Sequence, residues 1–144
     1  EDVGPAPYQQ SDVLRVLSAD IQFYHGMLVH VTFAHLFNRS NSYGYGFRAQ
    51  RIQLLVIRHL GLGLDGQAFL NVQLRKYQDP LAPQPGSNLE IDQYEQTMGI
   101  LKVSRQISRK WGISLQYGYH RNGARQRGGF YLRHLYSFAI ETAL

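Results

Sequence analysis

A chain of 144 residues is one domain by length, and with charged side chains at 17% and no run near the ~18 apolar residues of a spanning helix, it holds no transmembrane helix. Its formal charge of +5 is a moderate basic excess. The arginines are scattered over several segments and form no stripe, which argues against a nucleic-acid partner. Cysteine is absent, so neither disulfides nor thiolate metal sites are available.

Residues 1–11 carry Pro5 and Pro7 without periodicity and read as a leader or loop; residues 12–144 read as strands. A first strand, 12–24, sets Leu17, Ala19, Ile21 and Phe23 against Ser18, Asp20 and Gln22, the period of 2 that a sheet imposes. His25-Gly26 is a tight turn into a second strand, 27–38, with Val29, Val31, Phe33 and Phe37 opposite His30, Thr32 and Asn38. A polar link over 39–44 precedes a third strand, 45–60, where Ile52, Leu54 and Val56 oppose Arg51 and Gln53. Gly61 marks a tight turn. The fourth strand, 62–75, alternates most clearly, with Leu62, Leu64, Ala68, Leu70, Val72 and Leu74 against Asp65, Gln67, Asn71, Gln73 and Arg75.

The longest link, 78–88, contains Pro80, Pro83 and Pro85, which exclude a ladder strand there. A fifth strand, 92–107, places Leu101 and Val103 opposite Lys102, Ser104 and Gln106, and Ser108-Arg109-Lys110 turns into a sixth. There Trp111, Ile113, Leu115, Tyr117 and Tyr119 oppose Gly112, Ser114, Gln116, Gly118 and His120. A basic, glycine-rich loop over 121–129 leads to a seventh strand, 130–144, with Leu132, Tyr136, Phe138, Ile140 and Leu144 opposite Arg133, Ser137 and Glu141.

The links run short, long, short, long, short, long. Bacterial outer-membrane barrels place short turns in the periplasm and long loops outside, and hydrocarbon tolerates strands only in a closed wall. The expected fold is therefore all-β: an antiparallel up-and-down transmembrane β-barrel with about seven or eight strands in this chain. Seven strands with an external start imply the C-terminal portion of a larger barrel. The alternative is a small eight-stranded barrel whose first strand lies within residues 1–11.

The segment Gln93–Asn122 carries a turn of pattern R-x-[IL]-[ST]-x-x-[WL], here Arg105-Gln-Ile-Ser-Arg-Lys-Trp111. A strand of pattern S-L-x-Y-x-Y-x-x-N follows, here Ser114-Leu-Gln-Tyr-Gly-Tyr-His-Arg-Asn122. This hairpin resembles the last one of porin-type outer-membrane β-barrel proteins of Gram-negative bacteria. Tyr136–Leu144 resembles their terminal strand, which the barrel-assembly machinery reads. Leu144 stands where phenylalanine is usual, and Thr142 interrupts the apolar series. The motif covers 90–144. The resemblance implies location in the bacterial outer membrane, membrane lipid and lipopolysaccharide as surroundings, and a role as a general pore or as the barrel end of a polysaccharide-export protein. The remainder of a larger barrel, or partner subunits, is implied alongside.

On this reading Asp65, Gln67, Asn71, Gln73, Arg75, Arg51, Ser114, Gln116, His120, Arg133 and Glu141 line the water-filled lumen. Leu64, Leu70, Val72, Ile113, Leu115, Phe138 and Ile140 face lipid. Amide and guanidinium groups suit sugar hydroxyls and anions, so the expected function is passage of polar or anionic solutes, saccharides among them. An equally weighted alternative is that some arginines pair with Asp65, Glu95 or Glu141 and merely solvate the wall. No cofactor is called for. His25, His30 and His35, spaced by five, fall on opposite strand faces and do not make a metal site. Arg121, Arg125 and Arg127 form a second basic set in an outer loop; a solvated, mobile loop is the first reading of them, and contact with lipopolysaccharide phosphates the second.

Tyr24 and Trp111 flank short turns, while Phe37, Tyr43, Tyr45, Tyr77, Tyr94, Tyr119 and Tyr131 flank long links, as two interfacial aromatic belts would. Two competing classes stand beside the pore. A small outer-membrane hydrolase is one: His120-Arg-Asn122 resembles the H-x-S-N motif of lipid A deacylases, but Asn122 occupies the serine position and an amide is no nucleophile. That reading then needs His120, Ser137 and Glu141 to converge. The other is a soluble ligand-binding β-barrel with its oily faces inward.

Overall fold

A computed structural model describes residues 11–41, 45–81, 91–124 and 130–142, the side chains of 79–81, 91–94, 124 and 130 excepted. The chain forms β1 (Asp12–Tyr24), β2 (Met27–Ser40), β3 (Phe47–Gly61), β4 (Leu64–Leu81), β5 (Ile91–Gln106), β6 (Trp111–Ala124) and β7 (Phe130–Thr142). All seven pair antiparallel with their sequence neighbours in one up-and-down sheet, β1 to β7 in order. The expected leader over 1–11 lies outside the described residues except for Ser11. Its carbonyl accepts from the Asn41 backbone N–H, and its own N–H donates to Asn41 Oδ1.

The sheet is open: the described strands do not close into a barrel by themselves, which departs from the alternative of a small complete barrel. Contacts run only between consecutive strands, so β1 and β7 do not meet. Closure requires strand number, tilt and stagger to be mutually consistent. Here every residue of β1 is exposed, and so is every described side chain of β7. The wall therefore ends in two unpaired edges.

Local chemistry explains where the strands stop. Gly26 adopts φ +67° at the first short turn. At the second, Leu62 and Gly63 form the two-residue tip with φ 54° and 72°, so Leu62 belongs to the turn and not to β4. A bulge at His59/Gly61 precedes it. In the third, Ser108 Oγ accepts from the Lys110 and Trp111 backbone N–H groups, and Gln106 donates to the Ser108 carbonyl.

β4 is longer than its prolines allow in the sequence pattern. It continues through Pro80 to Leu81, but its ladder with β5 breaks between Lys76 and Leu81, so Pro80 sits where no ladder donor is demanded. β6 likewise extends to Ala124, which takes Arg121 and Asn122 out of the expected loop and into the ladder.

Candidate functional site

Because side chains alternate and the ladders keep register apart from the shifts at His59/Gly61 and Lys76/Leu81, each pair of facing residues carries its side chains on the same side of the sheet. Asp65, Gln67, Asn71, Gln73, Arg75, Arg51, Ser114, Gln116, His120, Arg133 and Glu141 all fall on one face. Leu64, Leu70, Val72, Ile113, Leu115, Phe138 and Ile140 all fall on the other. The strand-end aromatics divide between the two. Tyr24, Tyr77 and Tyr131 sit on the polar side, whereas Phe37, Trp111 and Tyr119 sit on the apolar side. Tyr43 and the side chain of Tyr94 lie outside the described residues, so the two belts hold on the apolar face only for part of the set.

The polar face is sheltered on the middle strands, whereas Asp65, Gln67, Arg133 and Glu141 on the same face are exposed. Gln73 is 4% exposed and Asn71 9%, while Leu115 on the apolar face is 61% exposed. A single layer has nothing stacked on it, so this shelter comes from neighbouring side chains of the same wall. Ala34, Leu36 and Ala49, the small buried cluster, lie on this face too.

Two rows of facing residues cross all seven strands on the polar face. One runs Asp20, Thr32, Gln53, Asn71, Met98, His120, Arg133; its neighbour runs Ser18, Ala34, Arg51, Gln73, Gln96, Asn122, Tyr131. Within them Arg51 Nε donates to Gln73 Oε1 at 3.0 Å, and Thr32 donates to Asp20 at 2.6 Å. Arg75 stacks over the Phe47 ring at 4.3 Å and lies 3.4 Å from the Tyr77 hydroxyl; its Nε is buried without a partner, as is Asn122 Oδ1.

The acids facing these rows are engaged by other groups. Asp65 meets His59 at 2.8 Å, Asp20 meets His30 at 3.3 Å, and Glu141 accepts from Lys102 at 3.1 Å and from Ser114 at 3.3 Å. Glu95 is on the apolar side and accepts from Thr97. Among the described residues, Arg51, Arg75 and Arg133 therefore have no carboxylate partner. Among the described residues no arginine of this face pairs with an acid, and the one lysine pair is Lys102 with Glu141. Arg51 is held by an amide and Arg75 by rings, with their charge left uncompensated.

The hydrolase geometry does not assemble. His120 faces Arg133, Ser137 faces Gln116 and Glu141 faces Gly112, so the three are spread along the hairpin at intervals of about 13 Å, from ~3.3 Å per strand residue. His30 and His35 lie on opposite faces of β2, with His25 in the turn. Among the described residues no three metal-ligating side chains come together.

Strict alternation does not account for one feature of the polar face. A third row, Gln22, His30, Leu55, Phe69, Ile100, Gly118, Leu135, puts four large apolar side chains beside the amide rows. Its signal lies in Leu54-Leu55-Val56-Ile57 and Phe69-Leu70, where consecutive apolar residues break the alternation and must occupy both faces.

Fold and faces together define an all-β protein built as one antiparallel meander, largely apolar and uncovered on one side, largely polar and sheltered at its middle strands on the other. Comparison of the chain with protein-family models, with curated proteins and with solved structures returns no match. The hairpin motif of 93–122 thus stands on its own residues.

Proposed function

We propose that this chain is wall of a bacterial outer-membrane β-barrel that passes polar or anionic solutes, saccharides among them. The observation that carries the reading is the division of the two faces. Large apolar side chains lie uncovered on one side of the sheet, interrupted on β6 and β7 by Arg121 and by His134, which hydrogen-bonds Tyr117; amides and guanidinium groups without a carboxylate partner among the described residues predominate on the other. A soluble sheet would hide the first set and expose the second, because uncovered Leu, Ile and Phe each forgo about 1.5–3 kcal/mol of burial. In lipid the arrangement is the favourable one.

The size of the apolar band fits the same reading. On β4 it runs from Gly66, which faces Arg58, to Lys76, which faces Arg48. That is about ten residue steps, or ~33 Å along the strand and ~25 Å across a membrane at a tilt near 40°, the height of the apolar band on outer-membrane barrels. The unpaired edges of β1 and β7 add a requirement. Hydrocarbon does not satisfy a bare strand edge, so the conducting wall includes further strands alongside them.

Selectivity follows from the polar face. Among the described residues Arg51, Arg75 and Arg133 have no compensating carboxylate, and the half-buried Gln53 and Gln96 amides between them offer donors and acceptors to sugar hydroxyls. In planar bilayers under a salt gradient, the whole barrel that contains this wall is expected to conduct with a reversal potential of anion-preferring sign. The double variant Arg51→Glu, Arg133→Glu moves that potential toward cations. Absence of conductance, or a reversal potential indifferent to these substitutions, contradicts the proposal.

A further inference from the structure

The apolar face is not apolar to its end. At the margin beside the long links, one row of facing residues reads Arg15, Phe37, Arg48, Lys76, with Arg39 facing Val13 one step further out. Arg48 and Lys76 are directly opposite each other, an arrangement in which like charges destabilise a sheet unless an anion lies between them. The Arg48 guanidinium lies over the Phe37 ring, 5.4 Å from its centroid. Among the described residues none of Arg15, Arg39, Arg48 and Lys76 has a carboxylate partner. The nearest acid of β5 on this face, Glu95, is one row inward opposite Leu74 and accepts from Thr97. The margin beside the short turns carries Arg58 and Arg105 on this face, with Arg109 and Lys110 in the third turn, but no two cations of the strands face each other there.

The same margin contains a shallow cavity of about 360 Å³ lined by Val13, Arg15, Phe37, Arg39 and Gln78. Two of its walls are guanidinium groups and two are apolar. Gln78 is held at its rim by a backbone hydrogen bond to Gly46. The next row inward is mixed, with Leu17 and Leu74 flanking His35 and Gln50. Beyond it Ala19, Phe33, Ile52 and Val72 face one another in a row that is apolar across β1 to β4 and continues into Thr97 and Arg121 on β5 and β6.

We propose that this margin binds the phosphate groups of a lipid, the phosphates seated among Arg15, Arg39, Arg48 and Lys76 and the acyl chains laid along the apolar band. Cationic rim, ring-lined cavity, mixed row and apolar runway stand in the order in which an amphiphile presents phosphate, polar backbone and hydrocarbon. A free phosphate would have no use for the runway, and an acidic peptide none for the depth of the band. The inference rests on the barrel-wall reading and adds to it a ligand and the residues that hold it.

The test is binding of diphosphorylated lipid A, and of the same lipid stripped of its phosphates, to the purified protein in neutral detergent. The expected result is a strong preference for the phosphorylated form. The variant Arg15→Gln, Arg39→Gln, Arg48→Gln is expected to bind it on the order of a hundredfold more weakly, the combined loss of three cations at a lipid surface. Arg48→Lys retains binding, and unchanged far-ultraviolet circular dichroism verifies that the triple variant keeps its sheet. Equal binding of both lipids, or native-like binding by the triple variant, overturns the proposal. So does full displacement by millimolar inorganic phosphate, which would identify an anion site without lipid. Insertion into neutral phosphatidylcholine vesicles is followed in parallel. A protein that inserts without phosphate preference refutes the lipid site and leaves the barrel reading standing, and one that never inserts refutes the barrel reading itself.

Discussion

Leu70→Arg separates a lipid-facing wall from a solvent-facing one. Leu70 lies on the apolar face near the middle of the band, with Leu54 facing it from β3 and Gly99 from β5. It is 42% exposed, and Gly99 leaves space beside it, so an arginine meets no steric obstacle. In water such a substitution changes stability by about 0.5 kcal/mol or less, since nothing buried is disturbed. Four residue steps separate Leu70 from Gly66 and six from Lys76, which puts it ~10 Å and ~15 Å from the two margins of a tilted strand. At that depth an arginine on a barrel's lipid face costs about 2–4 kcal/mol. The assay is reversible urea unfolding in phosphatidylcholine vesicles, read from Trp111, the only tryptophan of the chain. Ser137→Arg, at an exposed position of the polar face opposite Gln116, serves as the control and is expected to stay within about 1 kcal/mol, as does a lumen substitution generally. A Leu70→Arg protein as stable in vesicles as the parent would refute the assignment of the apolar face to lipid.

Other consequences are local. Leu62 holds φ 54° at the tip of the second short turn while 87% exposed, a left-handed conformation that asparagine tolerates far better than leucine. Leu62→Asn is therefore expected to raise the unfolding free energy by about 1 kcal/mol, and Leu62→Val to lower it by a similar amount, both read from the urea midpoint. Ser108→Ala removes the acceptor for the Lys110 and Trp111 backbone donors and is expected to cost about 0.5–1 kcal/mol, with a shift in Trp111 emission that the Leu62 variants do not produce.

Alternation and turn residues are local properties, and they make most of the wall legible in the chain itself. The bounds of β1 follow from the 12–24 pattern and Gly26. The face of each named residue follows from parity once one register is known, because the period of 2 leaves no third choice. Departures from the local pattern trace to a neighbouring strand. Pro80 is admitted to β4 because the ladder with β5 is broken at that point, a fact about β5. Arg121 joins β6 because Thr97 and Leu132 pair with it on either side.

Sequence by itself determined that this chain is a meander of seven amphipathic strands, since hydrophobic periodicity and turn chemistry act over a few residues. Tertiary structure alone decided three things, all of which depend on register between strands distant in sequence. It lined Arg51 up with Gln73, and Arg133 with His120, in rows that are polar apart from Ala34 and Met98. It paired acids with Lys102, His59 and His30 and so left those arginines uncompensated, and it gathered Arg15, Arg48 and Lys76, scattered over three strands, into one row. It also left the sheet open. Curvature and edge pairing are properties of the whole wall, and no stretch of ten residues encodes them.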